Sequence, residues 1–284
     1  MSEAARVRPL FDSSYGLVAP LAIGLLLLFV VPLLRVLWLG FSDPAIGLQN
    51  YITIAASPGV RAMLWTTAWL SASTTGLALL VGYALAWALY CAGPTQRAWM
   101  LAGLLFSLWV SVLVRAFAWV VVLGDQGVVN RWLVEVGLVD EPLRVLHTPI
   151  AVIIGMVHYM VPLAALPIFN AMQAIDRRIL QAGRSLGASP SLVFRRVFFP
   201  LTMPGVLSAA ILVFVFSLGF YVTPAILGGG RTIMIAEFIG RAVLDVPQWG
   251  VAAACATLLL AVTFALMAAL ARIADLRTVF GGRP

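Results

Sequence analysis

The chain has 284 residues, of which 62% are hydrophobic and only 10% charged, with a mean hydropathy of +1.04 and a formal net charge of +7. A soluble domain carries about 25% charged residues, so this composition excludes a solvated globular protein and points to an integral membrane protein. All eighteen basic residues are arginine, and a chain without lysine has no P-loop, whose Lys reaches the nucleotide phosphates.

Six apolar runs predict six transmembrane helices, at about 17–40, 62–92, 99–123, 150–171, 205–226 and 251–271. Each has the roughly 18 or more residues that a helix needs to cross a bilayer core, and no alternating ten-residue strands suggest a barrel. The fold class is therefore all-α. The first run follows Arg6 and Arg8 as a signal peptide would, but its apolar body is too long and no A-x-A site follows, so it reads as an uncleaved span. The second is punctuated by Ser71, Ser73, Gly76 and Gly82. Such small residues let helices approach closely in lipid, either within one bundle or against a second membrane subunit.

The third run carries Arg115 inside it. A mid-span arginine costs about 2.5–3.5 kcal/mol on insertion scales. Arg115 should therefore line a translocation path with Trp119, or snorkel outward and pair with an acid such as Asp125. The fourth holds His158 beside Tyr159, which read as an interhelical donor rather than a proton carrier. A basic connection follows. Asp176 can cap a short helix, Gly187 should break it, and Ser189-Pro190 should start a second. Ala182, Gly183 and Ala188 would give this bend a small-residue face, and Pro200 and Pro204 would bracket the start of the fifth span.

The fifth run should break around Phe220, Tyr221 and Thr223-Pro224. Aromatic faces there could hold an ammonium by cation–π attraction, or simply pack. Glu237 and Arg241 stand at ion-pair spacing on a helix; Glu237 is either half of a structural pair or an acid facing a cavity. Cys91 and Cys255 read as packing residues. Eleven arginines fall on the side of the termini and the 175–203 connection, against five on the other. The positive-inside rule thus makes both termini cytoplasmic. The expected organisation is a cytoplasmic tail 1–16, a transmembrane domain 17–274 containing the cytoplasmic loop 175–203, and a tail 275–284.

The loop LQAGRSLGASPSLVFRRVFFP (Leu180–Pro200) carries a spaced pattern: Gln181-Ala182-Gly183, Gly187 between Leu186 and Ala188, then Val197-Phe198-Phe199-Pro200. It resembles the cytoplasmic loop of permease subunits of importing ABC transporters, whose pattern is E-A-A, three residues, G, nine residues, I-x-L-P. Gln181 replaces the acid and Gly183 the second alanine. LVRAFAW (Leu113–Trp119), GVVNRWL (Gly127–Leu133), PLRVLHTPIAVIIGMVHYMVPLAALPIF (Pro142–Phe169) and FSLGFYVTPAILGGG (Phe216–Gly230) look like the spermidine/putrescine type of permease.

The resemblance implies a type I ABC importer permease fold in a bacterial inner membrane. It implies a docking loop in which Gln181, Ala182, Gly183, Leu186, Gly187, Ala188 and Pro200 meet a partner ABC ATPase dimer. Other implied partners are a second homologous permease, a periplasmic solute-binding protein and the lipid bilayer, with no nucleic acid. ATP and Mg²⁺ would belong to the ATPase, and this chain would be non-catalytic and bind no cofactor. The candidate path residues are Arg115, Trp119, Phe220, Tyr221 and Glu237, for a polyamine or a related amino-acid or opine-type solute. A stand-alone secondary transporter is the alternative, although no internal repeat of the kind common in those folds is evident. An intramembrane enzyme has little to build on, since the chain has two histidines.

Overall fold

The computed structural model describes residues 11–245 and 247–273. The expected tail 275–284 and most of the tail 1–16 lie outside them. All the regular structure described is helical. In chain order it comprises α1 (Phe11–Ser42), α2 (Gln49–Ala56), α3 (Pro58–Cys91), α4 (Pro94–Trp109), α5 (Val112–Leu123), α6 (Val128–Glu135), α7 (Pro149–Gln173), α8 (Arg177–Ser185) and α9 (Pro190–Val193). A π-helical turn over Phe194–Phe198 joins α9 to α10 (Phe199–Leu218), and α11 (Val222–Leu227), α12 (Ile235–Leu244) and α13 (Trp249–Ile273) complete the chain. Six stretches are long and apolar enough to cross a membrane.

Two spans differ from expectation. The third is not one helix. α4 ends at Trp109, Val110 and Ser111 are extended, and α5 begins at Val112, so the third stretch long and apolar enough to cross runs from Val112 to Glu135 rather than over 99–123. The fifth begins much earlier than Gly205, because the apolar stretch is helical from Pro190 to Leu218. Pro200 does not interrupt it. The preceding turn is widened, so the Phe199 N–H reaches Phe194 O, five residues back. A π-turn of this kind gives a proline ring room that the α-ladder lacks.

The centre of the molecule is α3 against α7, with α10 packed on both. Their approach depends on small residues. A Cβ at Gly82 would stand 2.8 Å from the Ala164 Cβ, and one at Gly205 would stand 2.4 Å from the Ala171 Cβ. Lipid supplies no hydrophobic drive between helices, so close backbone packing must hold them together. α1 behaves differently. It packs mainly on α13 and leaves most of its apolar side chains exposed.

Polar tethers join the outlying helices. The Asp43 carboxylate accepts from Gly250 N at 2.8 Å and caps α13, while the Asn50 amide donates to the carbonyls of Gly40 and Asp43. Thr67 Oγ1 accepts from Ile235 N at 2.9 Å, fixing the start of α12 on α3. Asn130 makes three hydrogen bonds, donating to Gly124 O and Leu143 O and accepting from Leu143 N, and so pins the connection between α5 and α7.

Candidate functional site

The basic connection is a rigid elbow. Asp176 Oδ1 accepts from Arg178 N at 2.8 Å and Ser189 Oγ from Leu192 N at 3.3 Å, so each short helix has its side-chain cap. Between them Gly187 takes φ +83°, its N–H bonds Arg184 O, and the Ala188 N–H bonds Gly183 O. That is a Schellman closure, which satisfies the last carbonyls of α8 and needs the left-handed conformation that glycine adopts without strain. The break at Gly187 and the two caps are as the sequence predicts.

The residues named for docking divide into two sets. Gln181, Ala182, Gly187 and Pro200 are exposed, and Leu186 is 88% exposed at the crest of the elbow. Gly183 instead faces inward, where a Cβ would lie 3.3 Å from Val193 Cγ2, and Ala188 is half-buried. The small face expected of Ala182, Gly183 and Ala188 is therefore split. Gly183 lets α8 close on α9, while Ala182 is presented outward.

The second constellation lies where the two broken spans meet. Arg115 is 5% exposed, and its Nη2 donates to the carbonyls of Ser107 and Val110. These are end groups of α4 left open by the break, which lipid could not satisfy. Its Cζ also stands 4.9 Å from the Tyr159 ring centroid. Tyr159 in turn packs on Phe220 at 5.1 Å. Phe220 follows the end of α10 at Leu218, so the fifth span breaks where expected.

One α7 tyrosine thus bridges the break in the third span to the break in the fifth. Arg115 forms no ion pair with Asp125, since Arg241–Glu237 is the one ion pair among the described residues. Arg97 performs the same capping at the end of α3, donating to Leu89 O at 2.9 Å and Ala92 O at 3.0 Å.

Trp119 donates from Nε1 to His158 Nδ1 at 3.1 Å and meets its ring edge-on, so His158 is an interhelical hydrogen-bond partner. Both line an apolar cavity of about 640 Å³ between α3, α4, α5 and α7. Tyr221 is 39% exposed, and its ring lies against Gly240, where a Cβ would be 2.8 Å away. Glu237 is fully buried. Its Oε1 accepts from Arg241 Nη2 at 2.6 Å, while Oε2 has no partner. Burial raises its pKa, and the Arg241 charge and hydrogen bond oppose that rise. The carboxylate does not stand open to a cavity; Arg241 covers it. The structure brings Arg115 and Phe220 together through Tyr159, and places Glu237 elsewhere, at the junction of α12 with α3 and α13.

Tyr159 as a bridge and Asn130 as a pin were not singled out from sequence as such, although both lie within the motifs quoted above. A buried-type polar residue inside a long apolar or loop motif is the signal that would have found them.

Residues 78–279 match the family described as "Binding-protein-dependent transport system inner membrane component". The chain is 32% identical over 204 residues to the spermidine/putrescine transport system permease protein PotB of Haemophilus influenzae, covering 72% of this chain and 71% of that one. It is 26% identical over 219 residues to the inner membrane ABC transporter permease protein YdcU of Escherichia coli K12, covering 69% of each. Among solved structures, a bacterial alginate ABC transporter in complex with an alginate pentasaccharide-bound periplasmic protein superimposes with a TM-score of 0.75 at 17% identity, over 94% of this chain and 95% of that one. An inward-facing MetNI methionine ABC transporter gives a TM-score of 0.57 at 18% identity, over 75% and 94%. At these identities the structural likeness speaks for the fold.

Proposed function

The chain belongs to the family of binding-protein-dependent transport system inner membrane components, and on that premise we propose that it is one of two permease subunits of an ATP-driven importer of polyamines in the bacterial inner membrane. A periplasmic receptor delivers the solute. A dimer of ABC ATPases grips the exposed crest of the elbow, at Gln181, Ala182, Leu186 and Gly187. ATP and Mg²⁺ act on the ATPase, and this chain contributes no hydrolytic group.

The observation that carries the coupling role is the elbow itself: exposed at its crest, yet held by two side-chain caps and a Schellman closure. An ATPase can shift the spans only through a contact whose free energy differs between its two states, and a stiff elbow passes that difference on. The polyamine reading rests on the likeness to PotB. Arg115, buried in the third span, is engaged with α4 carbonyls and the Tyr159 ring, so its charge is not offered to a polycation. Gln181 in place of an acid makes that ATPase contact neutral. A secondary transporter finds no specific support.

The test is reconstitution with the cognate ATPase, partner permease and receptor. Spermidine or putrescine bound to the receptor should stimulate ATP hydrolysis and enter the vesicles. Stimulation by an amino acid or an opine-type acid, with none by polyamines, would overturn the solute. Uptake without the ATPase would overturn the importer.

A further inference from the structure

The elbow also carries a pocket that shares only Gln181 with the proposed docking residues. A cavity of about 470 Å³ lies between α8, α9, the π-turn and the last two turns of α3. One wall is cationic. Arg177, Leu180, Gln181 and Arg184 stand at i, i+3, i+4 and i+7 on α8, which puts them on one helical stripe, and all four line the cavity. The facing wall is aromatic. Trp87 meets Phe194 and Phe198 edge-on at 5.1 and 4.9 Å, and Tyr90 packs beside them. Arg177 hangs over the Tyr90 ring at 5.9 Å.

No described acid lies within ion-pair range of Arg177 or Arg184, and Asp176, the nearest in sequence, is engaged in capping α8. The pocket sits at the arginine-rich end of the bundle, where α3 ends at Cys91. Aromatic rings beside arginines at the end of a span mark the headgroup level of a bilayer. A basic pocket between spans at that level, on the side expected to be cytoplasmic, suits an anionic headgroup.

We propose that this cavity binds the phosphate of an anionic phospholipid, with Arg177 and Arg184 on the phosphate and Trp87, Phe194 and Phe198 beside the glycerol and upper acyl carbons. The lipid fills the space under α8 and props the elbow against α3. Inorganic or soluble glycerol phosphate offers the same phosphate chemistry but lacks acyl carbons for the aromatic wall.

Cys91 lines the cavity and is exposed, whereas Cys255 is buried, so alkylation of Cys91 reports occupancy. The experiment measures the Cys91 alkylation rate, by peptide mass spectrometry, in the whole transporter complex in nanodiscs. Discs of phosphatidylcholine alone are compared with discs containing phosphatidylglycerol. Phosphatidylglycerol should protect Cys91. In Arg177→Gln and Arg184→Gln the amount of that lipid needed for half-protection should rise, about fivefold for each arginine removed.

Equal protection in both kinds of disc would overturn the proposal in favour of an acidic side chain of the docked ATPase. Protection by soluble glycerol phosphate in phosphatidylcholine discs, matching that of the lipid, would overturn the lipid source. Undiminished protection in the double variant would overturn the two arginines. Both are exposed, so the variants should assemble normally, and the comparison of lipids on the unmodified protein needs no variant.

Discussion

The α3–α7–α10 centre and the 176–200 elbow are both rigid, but by opposite means. The centre is held by burial: Leu89, Met160, Ile168 and Met172 are fully enclosed, and glycines bring the backbones together. The elbow is mostly exposed, and only Val193 and Phe198 of its residues are buried. No residue of α8 is buried, and its shape comes from two caps, a left-handed glycine and a widened turn. Packing in lipid must be continuous to work, whereas a segment that must stay exposed for a partner can be stiffened only by local hydrogen bonds and backbone conformation.

That contrast can be broken at either end. Gly82→Leu should do most harm, because its side chain would occupy the space of Ala164. Overpacking of this kind costs about 1–3 kcal/mol and occasionally more, so the yield of correctly folded protein in detergent should collapse. Normal elution on size exclusion would mean that α3 and α7 can separate without penalty.

Arg115→Ala comes next. It strips the partner from the α4 end carbonyls, at about 1.5–3 kcal/mol for a charged hydrogen bond. The thermal midpoint of the purified complex should fall, and Arg115→Lys should recover part of it. A lowered transport rate at an unchanged midpoint would instead put Arg115 on the solute's path.

Gly187→Val imposes a β-branched residue on φ +83°, at about 1–2 kcal/mol of local strain. The complex should still assemble. Its ATP hydrolysis should become independent of solute uptake in vesicles, and tight coupling in this variant would show that the elbow tolerates distortion. Asp176→Ala removes one cap, for about 1 kcal/mol. The uptake per ATP should drop modestly with no change in global melting, and a change in melting would show that the elbow shares the centre's stability.

Much of this was legible in the chain. The six apolar runs, the break near Phe220, the Asp176 cap and the Gly187 bend all rest on patterns that span a few residues. The break at Val110–Ser111 was not. The surrounding SLWVSVLV has neither glycine nor proline, and the bend persists because Arg115, several residues on, satisfies the carbonyls it frees. The early start of the fifth span was hidden for a related reason: Pro200 reads as an interruption unless the preceding turn is known to be widened.

Gly183 was misplaced, and the role of Glu237 left open, because spacing alone does not say which neighbour a face will meet. Gly183 looked outward on α8 until α9 folded back with Val193, and of the two roles open to Glu237 the structure forms the pair with Arg241.

By itself the chain determined that it spans a membrane, how many times, which end carries the charge and where the elbow bends. These follow from hydropathy, arginine placement and turn chemistry, all of which act over short stretches. Only the tertiary structure decided that Tyr159 joins the two broken spans, that Arg115 caps a helix end and that α8 leaves a cationic pocket open against α3. Those depend on side chains far apart in sequence competing for the same few unsatisfied groups.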